Sequence, residues 1–578
     1  MTVQKTALKI HQFGANRMKK LLLIAALLFS GMANALVVSP TLPLVDNIYY
    51  VSTSAKGGNN SNPCTKTRPC LTLAGAAAKV TKAGSIIHVN TNQGDFVETA
   101  QTILAVGVTL ECDGVTATGA IKAGSALDGM IRLISTTEGT YGNQEVRNCK
   151  IDGNSQTGSR AIHVFARSNV KVHDLVMQNW NTNGIMFSGT NSLTYYGGYE
   201  IAPTVFATGN EIYNVTITNS ASAGNGNINY GGQDGILIHD NVIDVQRRTT
   251  DSNSGYGIKY LNGGFSKNER IYNNTITKPT PDGTANPSGV ANFAIEYWSG
   301  LGGTKIYNNT IQGVVDIVHT QKGESKYSVE LYNNRFGYST LQTANYIPAI
   351  VIEDNTNDVL VRNNYARNMG LTQPFVQMYG ANFPLTFKNI TIYNNIVTGA
   401  RLFVAATNYS IVSNLKINLN TIFWGASAPG SATVGIELQA GQYLGLQVAD
   451  NIFYNHTYNF MYNAPNNGLN KLDQADISNN IHFPASTLIS VVGTQAATNV
   501  TALSNLNVDP LFKNTATPDL RLQNTAQGDG STSPARNAGK DVGILEDYAG
   551  YIRFNTPDIG ALEFPHANNL PSVNKPQP

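Results

Sequence analysis

The sequence predicts an all-β chain wound into a right-handed, single-stranded parallel β-helix of about a dozen turns. Three observations carry this: an asparagine-centred repeat, short strand-like runs between Gly-rich turns, and a composition short of helix formers. The repeat Tyr272-Asn273-Asn274-Thr275-Ile276 returns as Tyr307-Asn308-Asn309-Thr310-Ile311, Tyr332-Asn333-Asn334-Arg335-Phe336 and Tyr393-Asn394-Asn395-Ile396-Val397. Fainter copies stand at Asn148-Cys149, His173-Asp174, Tyr213-Asn214, Asp240-Asn241, Asn363-Asn364, Asn418-Leu419-Asn420, Asp450-Asn451 and Asn479-Asn480. Between positions 241, 274, 309, 334, 364, 395, 420, 451 and 480 the interval runs from 25 to 35 residues. That is too short for a propeller blade of about 40–45 residues and too variable for a leucine-rich repeat. Each interval holds two or three short runs, such as Phe293 to Tyr297 and Thr304 to Tyr307. Stacked turns bring equivalent side chains to about 4.8 Å, where amides can hydrogen-bond as a ladder. Asparagine also tolerates the left-handed backbone of a sharp corner. The Asn pairs therefore read as architecture rather than as sugar ligands. Only 13% of residues are charged, against 54 Gly and 27 Tyr, a balance that suits strands and turns.

From the N-terminus, residues 1–35 read as a secretion signal: Met18-Lys19-Lys20, an apolar run from Leu21 to Phe29, and the small-x-small site Ala33-Asn34-Ala35. The mature chain is expected to begin at Leu36, with Met18 as the true start. No later stretch approaches the roughly 20 apolar residues of a membrane helix, so an exported, soluble protein is expected. Export makes disulfides the expected state of the four cysteines. Cys64 and Cys70 bracket a tight loop, and Cys112 and Cys149 fall on neighbouring turns. A zinc site would want a paired C-x-x-C or a histidine cluster, and neither accompanies them. An open solenoid end exposes strand edges. Leu71 to Lys82, Ala-rich and apolar at helical spacing, is the expected plug. The solenoid spans 36–507. A net charge of +2 argues against a nucleic-acid binder, which would show a dense basic face.

Two ends of the chain carry a resemblance. Tyr49-Tyr50-Val51-Ser52, Leu71-Thr72-Leu73-Ala74 and Gly84-Ser85-Ile86-Ile87-His88-Val89 resemble the opening of bacterial proteins of the pectin lyase-like superfamily. Val508-Asp509-Pro510-Leu511-Phe512, Asp519-Leu520-Arg521-Leu522, Ser533-Pro534-Ala535, Ala538-Gly539 and Asp558-Ile559-Gly560-Ala561-Leu562-Glu563 are similar to the closing segment of many secreted β-helix proteins. The resemblance covers roughly residues 46–565, with 508–565 as the closing segment and 566–578 as a disordered tail. It implies the fold, which hosts lyases, hydrolases, epimerases and adhesins alike. The Trp-Ile-Asp-His and Arg-x-Pro-x-x-Arg of pectate lyases, the Gly-His-Gly and Arg-Ile-Lys of polygalacturonases and the Asp-Pro-His-Asp of alginate epimerases are absent. The pairs His173-Asp174 and His239-Asp240 sit at the ladder corner instead.

A β-helix builds a site from outward side chains of consecutive turns. Aligning Gly257 to Tyr260, Ala294 to Tyr297 and Val314 to Ile317 puts Ile258, Ile295 and Val315 inward and stacks Lys259, Glu296 and Asp316 outward. Val351 and Gln377 continue the row, with Trp298, His319, Glu353 and Tyr379 close by. The expectation is an enzyme cleaving a polysaccharide, an anionic one by preference. For hydrolysis, Glu296 and Asp316 are the acid and its partner. For β-elimination, Lys259 or His319 is the base and Tyr260 or Tyr297 the acid. Arg270, or calcium on Glu296 and Asp316, would then neutralise a uronate. The three stacked charges also read as a solvated ladder of alternating sign. Aromatic residues such as Trp298 and Tyr379, on which sugars stack, weigh toward function. Tyr195 to Tyr230 reads either as a long loop walling a groove beside the strand face or as a plain insertion. Arg247-Arg248 reads as a contact for carboxylate or sulfate. The alternative class is a non-catalytic glycan-binding or adhesive solenoid.

Overall fold

The computed structural model describes residues 47–564 apart from 190–194, 197–198, 201–204, 221–225, 246–255, 261–264, 278–292, 299, 319–328, 338–347, 354–355, 380–384, 407–409, 426–432, 440, 464–470, 485–486, 493–496 and 555. The chain divides into Met1–Ile48 and Tyr49–Pro578. Of the first unit, Asn47 and Ile48 are described; the leader expected over 1–35 and the tail over 566–578 lie outside the described residues.

In the second unit each solenoid strand pairs in parallel with the strand one turn later. Arg270–Tyr272 pairs with Thr304–Tyr307, that with Val329–Tyr332, and that with Asn357–Arg362, residue for residue, and the stacking continues over about ten turns. Two further strand positions repeat in the same way. One follows the asparagine corner (Thr275–Thr277, Thr310–Ile311, Arg335–Gly337) and the other is the face carrying Lys259 (Tyr256–Tyr260, Phe293–Trp298, Val314–Val318). Because side chains alternate along a strand, one residue of every pair points into the bore. Ile271, Ile306 and Leu331 on one wall, and Ile258, Ile295 and Val315 on another, are at most 1% exposed.

The corner explains the repeat residue by residue. The first member of each pair, Asp240, Asn273, Asn308, Asn333, Asn363, Asn394, Leu419, Asp450 or Asn479, takes φ between 52° and 58°, the left-handed conformation that Asn and Asp adopt most readily. The second member builds the ladder. Asn241, Asn274, Asn309, Asn334, Asn364, Asn395, Asn420, Asn451 and Asn480 each donate Nδ2 to the Oδ1 of the next, at 2.9–3.0 Å. The last partner is Asn505. In the first turns the left-handed corner persists while Cys149, Leu175 and Val215 occupy the ladder position.

Cys149 bonds Cys112 one turn earlier, and Cys64 bonds Cys70. The helix expected over Leu71–Lys82 is shorter, covering Leu73–Ala77. Thr72 caps it, the buried Glu98 carboxylate accepts the Leu73 N–H at 2.8 Å, and Val80, Thr81 and Gly84 follow, residues that weaken a helix. Among the described residues no helix is long and apolar enough to cross a membrane.

At the other end, residues 508–564 fold back along the solenoid's side. Phe512–Asn514 and Asp519–Leu522 form an antiparallel pair. Phe512, Leu520, Leu522, Tyr548 and Ile559 build a second apolar cluster with Ile396, Phe423, Ile452 and Ile481 of the post-corner face.

Candidate functional site

The register lines up Lys259 with Glu296, Glu296 with Asp316, Asp316 with Val351 and Val351 with Gln377. These side chains point away from the bore, yet Lys259 is only 8% exposed and Glu296 and Asp316 only 2%. Lys259 Nζ lies 2.5 Å from Glu296 Oε2 and 4.0 Å from the centroid of the Tyr256 ring. That ring stacks on Phe293, 5.1 Å between centroids. Burial raises the pKa of Glu296, while the Lys259 ammonium opposes the rise. Burial also raises the Tyr256 hydroxyl, and the Glu296 and Asp316 charges add to it. An ammonium, two carboxyls on adjacent turns and a phenol thus share this stretch of the wall, and the phenol feels both carboxyls.

Glu353 pairs with Val318 and then with Tyr379, so these two form a second outward row, two residues along the strands. Tyr379 is 43% exposed, and Gln377 and Glu353 are half-buried. Trp298 occupies the same row opposite Val318, its side chain outside the described residues, as are His319, Arg247 and Arg248.

Three expectations are corrected. Tyr260 and Tyr297 face the bore, at most 1% exposed, because they have the same parity as Ile258 and Ile295. The core accommodates their hydroxyls: Tyr260 donates to the buried Glu269 carboxylate, and Tyr297 accepts from Gly302 N–H at 3.2 Å and lies 3.0 Å from Thr304 Oγ1, whose hydrogen goes to Glu269. Arg270 stands on the pre-corner face, with Nη1 donating to the carbonyls of Asn268, Glu269 and Gly303. The span read as an insertion, Tyr195 to Tyr230, contains two regular strands, Glu211–Ser220 and Gly226–Tyr230, besides the small hairpin of Tyr195–Tyr196 with Tyr199–Glu200.

The second of those strands carries a residue that the sequence reading passed over. Asn229, 1% exposed, is the register partner of Lys259 one turn earlier. Its signal is textual: Ile228-Asn229-Tyr230 repeats as Ile258-Lys259-Tyr260 and Ile295-Glu296-Tyr297. Tyr256 was missed because its position, three residues before Lys259, reads as inward. Calcium would want six to eight oxygens. Among the described residues no three His, Cys, Asp or Glu side chains converge on a metal position, and Lys259 already supplies Glu296 with a cation.

The pre-corner face offers the other aromatic array. His173, Tyr213, His239, Tyr272, Tyr307 and Tyr332 stack nearly parallel at 4.5–5.3 Å. Their faces cover one another, so a sugar meets only ring edges. His173 and His239 each hold the aspartate of their own corner at 2.7 Å, which makes those His-Asp pairs structural.

Neither a protein-family model nor a curated protein sequence matches the chain. Among solved structures, a tailspike protein of E. coli bacteriophage HK620, in complex with a pentasaccharide, superposes with TM-score 0.50 at 11% identity, over 76% of this chain and 79% of that one. The chain has the parallel β-helix fold. Weaker likenesses to this β-helix are XylC with xylose (TM-score 0.35, 10% identity, 90% and 99% covered) and the A-module of the mannuronan C-5 epimerase AlgE6 of Azotobacter vinelandii (0.35, 13%, 80% and 100%).

Proposed function

We propose that the chain is an exported glycan-cleaving enzyme that works by hydrolysis, with Glu296 as the acid and Asp316 as its carboxylate partner. The observation that carries this is the pairing of two carboxyls, on adjacent turns outside the core, each 2% exposed. Backbones about 4.8 Å apart suit the carboxyl separation of about 5–5.5 Å in retaining glycosidases. An acid must still hold its proton near neutral pH, and burial pushes Glu296 that way. Lys259 orients that carboxyl. β-Elimination is less well served, since Tyr260 and Tyr297 lie in the core and Arg270 is engaged on another face. Glycan reaching Glu296 displaces what covers it. Tyr379, three turns on, offers an open ring at that end of the row. Glycan as the ligand class also draws on the tailspike, whose structure holds a pentasaccharide. The two disulfides accord with export to an oxidising compartment.

The test is a panel of uronate-containing, sulfated and neutral polysaccharides, followed by new reducing ends and by the ultraviolet absorbance of unsaturated uronates. Reducing ends without absorbance are expected, with Glu296→Gln and Asp316→Asn each lowering the rate at least about 100-fold. Absorbance would convert the reading to a lyase. Binding without cleavage on every glycan would replace it by the adhesive class, and full activity in both variants would remove the site.

A further inference from the structure

The solenoid finishes differently at its two ends. At the first turn the bore is closed: Leu73, Ala76 and Val80 join the core at no more than 1% exposure, and Lys56, Lys66, Arg68, Lys79 and Lys82 stand exposed in the same stretch of chain. At the last turn, Thr487–Val492 pairs with Tyr458–Asn463 on one side and, among the described residues, with no strand on the other. Ile489 and Val500, packed against the core, are half-buried, whereas Phe460 and Ala475 one turn earlier are 1% exposed. Residues 508–564 turn back along the side, and none of their described strands joins this edge.

The backbone of that edge has a definite polarity. Thr487 N–H bonds the Thr457 carbonyl at 3.1 Å. Backbone groups alternate along a strand, so the N–H and C=O of Leu488, Ser490 and Val492 point out of the open end. The ladder stops there too: Asn505 Nδ2 donates to the Ile477 carbonyl at 2.7 Å, with no further asparagine among the described residues to take its second hydrogen. Native edge strands carry Lys, Pro or a bulge that turns other strands away. Thr487–Val492, Thr-Leu-Ile-Ser-Val-Val in unbroken register, has none of them. From Ile477 to Val508 the sequence holds no Asp, Glu, Lys or Arg, in a chain that is 13% charged. At the rim, Leu503 is 64% exposed. A turn facing water would not be the one stripped of charge.

We propose that the last turn is a self-association face, on which a second copy of this chain stacks end to end about a two-fold axis. The covering surface must offer backbone donors and acceptors at strand spacing and carry no charge, and the last turn is itself such a surface. The other end of the solenoid is closed and bears cations, so head-to-tail growth is blocked and like end meets like end. The register follows from the backbone. In an antiparallel self-pair the outward-pointing residues exchange hydrogen bonds, which puts Ser490 on the two-fold axis and Leu488 opposite Val492. Ser490 also continues the row of Glu296, Asp316 and Gln377 through Ala405, Glu437 and Met461. The two copies therefore join their Glu296-bearing faces into one wall.

Sedimentation of the full chain at micromolar concentration is expected to give a dimer. Ser490→Pro removes the N–H at the two-fold axis while the bonds to the previous turn, made by Thr487, Ile489 and Val491, stay in place. Ile489→Lys puts an ammonium at the mouth of the bore, where a monomer lets it reach water and a dimer does not. Each should weaken association about tenfold or more, with the far-ultraviolet circular dichroism unchanged; should either chain lose its fold, a cross-link still decides. Two Ser490→Cys residues would stand about 5.5 Å apart, Cα to Cα, within disulfide reach, and the native cysteines are already paired. Mild oxidation is expected to join that dimer covalently. A monomer at every concentration, as when residues of the same chain cover the edge, would overturn the proposal. So would assemblies larger than two, a dimer that both substitutions leave unchanged, or a Ser490→Cys chain that does not cross-link.

Discussion

Glu269 shows how far the bore can carry a polar side chain. It is fully buried, accepts hydrogen bonds from Tyr260 and Thr304, and burial pushes its pKa up to about 8. A carboxyl in the unfolded chain titrates near 4.5, so the folded chain holds this proton more tightly. Its contribution to stability is complete below that value and is lost as pH rises through about 8. The unfolding temperature is therefore expected to fall between pH 5 and 9, and Glu269→Gln, neutral throughout, should flatten the fall. Thermal melts across that range measure it; parallel curves for the two proteins would show that Glu269 does not titrate in the fold. The same residue explains a misreading. Tyr260 and Tyr297 read as acids beside the outward row although they share the parity of inward Ile258 and Ile295; the groups that let their hydroxyls enter the bore, Glu269, Thr304 and Gly302, come from the following strand and turn. No spacing within Tyr256–Tyr260 announces them.

Individual strands and corners were far more legible. Period, alternation and turn residues are local properties, and they were enough to stack Lys259, Glu296 and Asp316 and to extend the row to Val351 and Gln377. The division of labour inside each Asn pair was not legible, since both members are the same residue and only the backbone separates corner from ladder. It has an energetic consequence. Asn309 Oδ1 accepts from the backbone N–H and Nδ2 of Asn274, and its own Nδ2 reaches Ile271 O and Asn334 Oδ1. Asn309→Ala orphans buried groups on both neighbouring turns, at about 1–3 kcal/mol each. A loss of roughly 2–4 kcal/mol is expected in urea unfolding. Asn308→Gly keeps the left-handed corner and should cost only a fraction of that. Equal losses for the two would refute the separation of roles. The short helix and the strand Gly226–Tyr230 were less legible for a related reason: Leu73–Ala77 is fixed by Glu98, 25 positions away in sequence, and Gly226–Tyr230 by its pairing with Tyr256–Tyr260.

Over the whole molecule, the C-terminal segment and the solenoid wall share a buried charge network. Arg553 donates Nη1 to Glu563 and to the carbonyl of Asp558, and Nη2 to Asn394 of the wall and to the carbonyl of Gly560. Asp547, Asp558 and Glu563 surround it, and Asp450 on the wall receives Lys540 N–H; all four carboxyls are at most 3% exposed. Burial raises every one of them, Asp450 and Glu563 to about 7. Arg553 thus faces several acids, and its removal leaves them with only Arg536 beside Asp558 and Lys540 beside Asp450. Arg553→Met is expected to cost about 3–5 kcal/mol, concentrated on the docking of residues 508–564 because the Asn ladder holds the turns together without it. The raised carboxyls set the pH dependence: docking is strongest below the ordinary carboxylate range and weakens as pH rises through about 7. Limited proteolysis at pH 5 and pH 8 reads both effects. Cleavage should begin within 508–564, faster at pH 8 and faster still in the variant, while the laddered turns stay intact. Simultaneous loss of ladder and segment would mean that the two unfold as one cooperative unit, and that Arg553 supports the whole solenoid rather than the segment folded along its side.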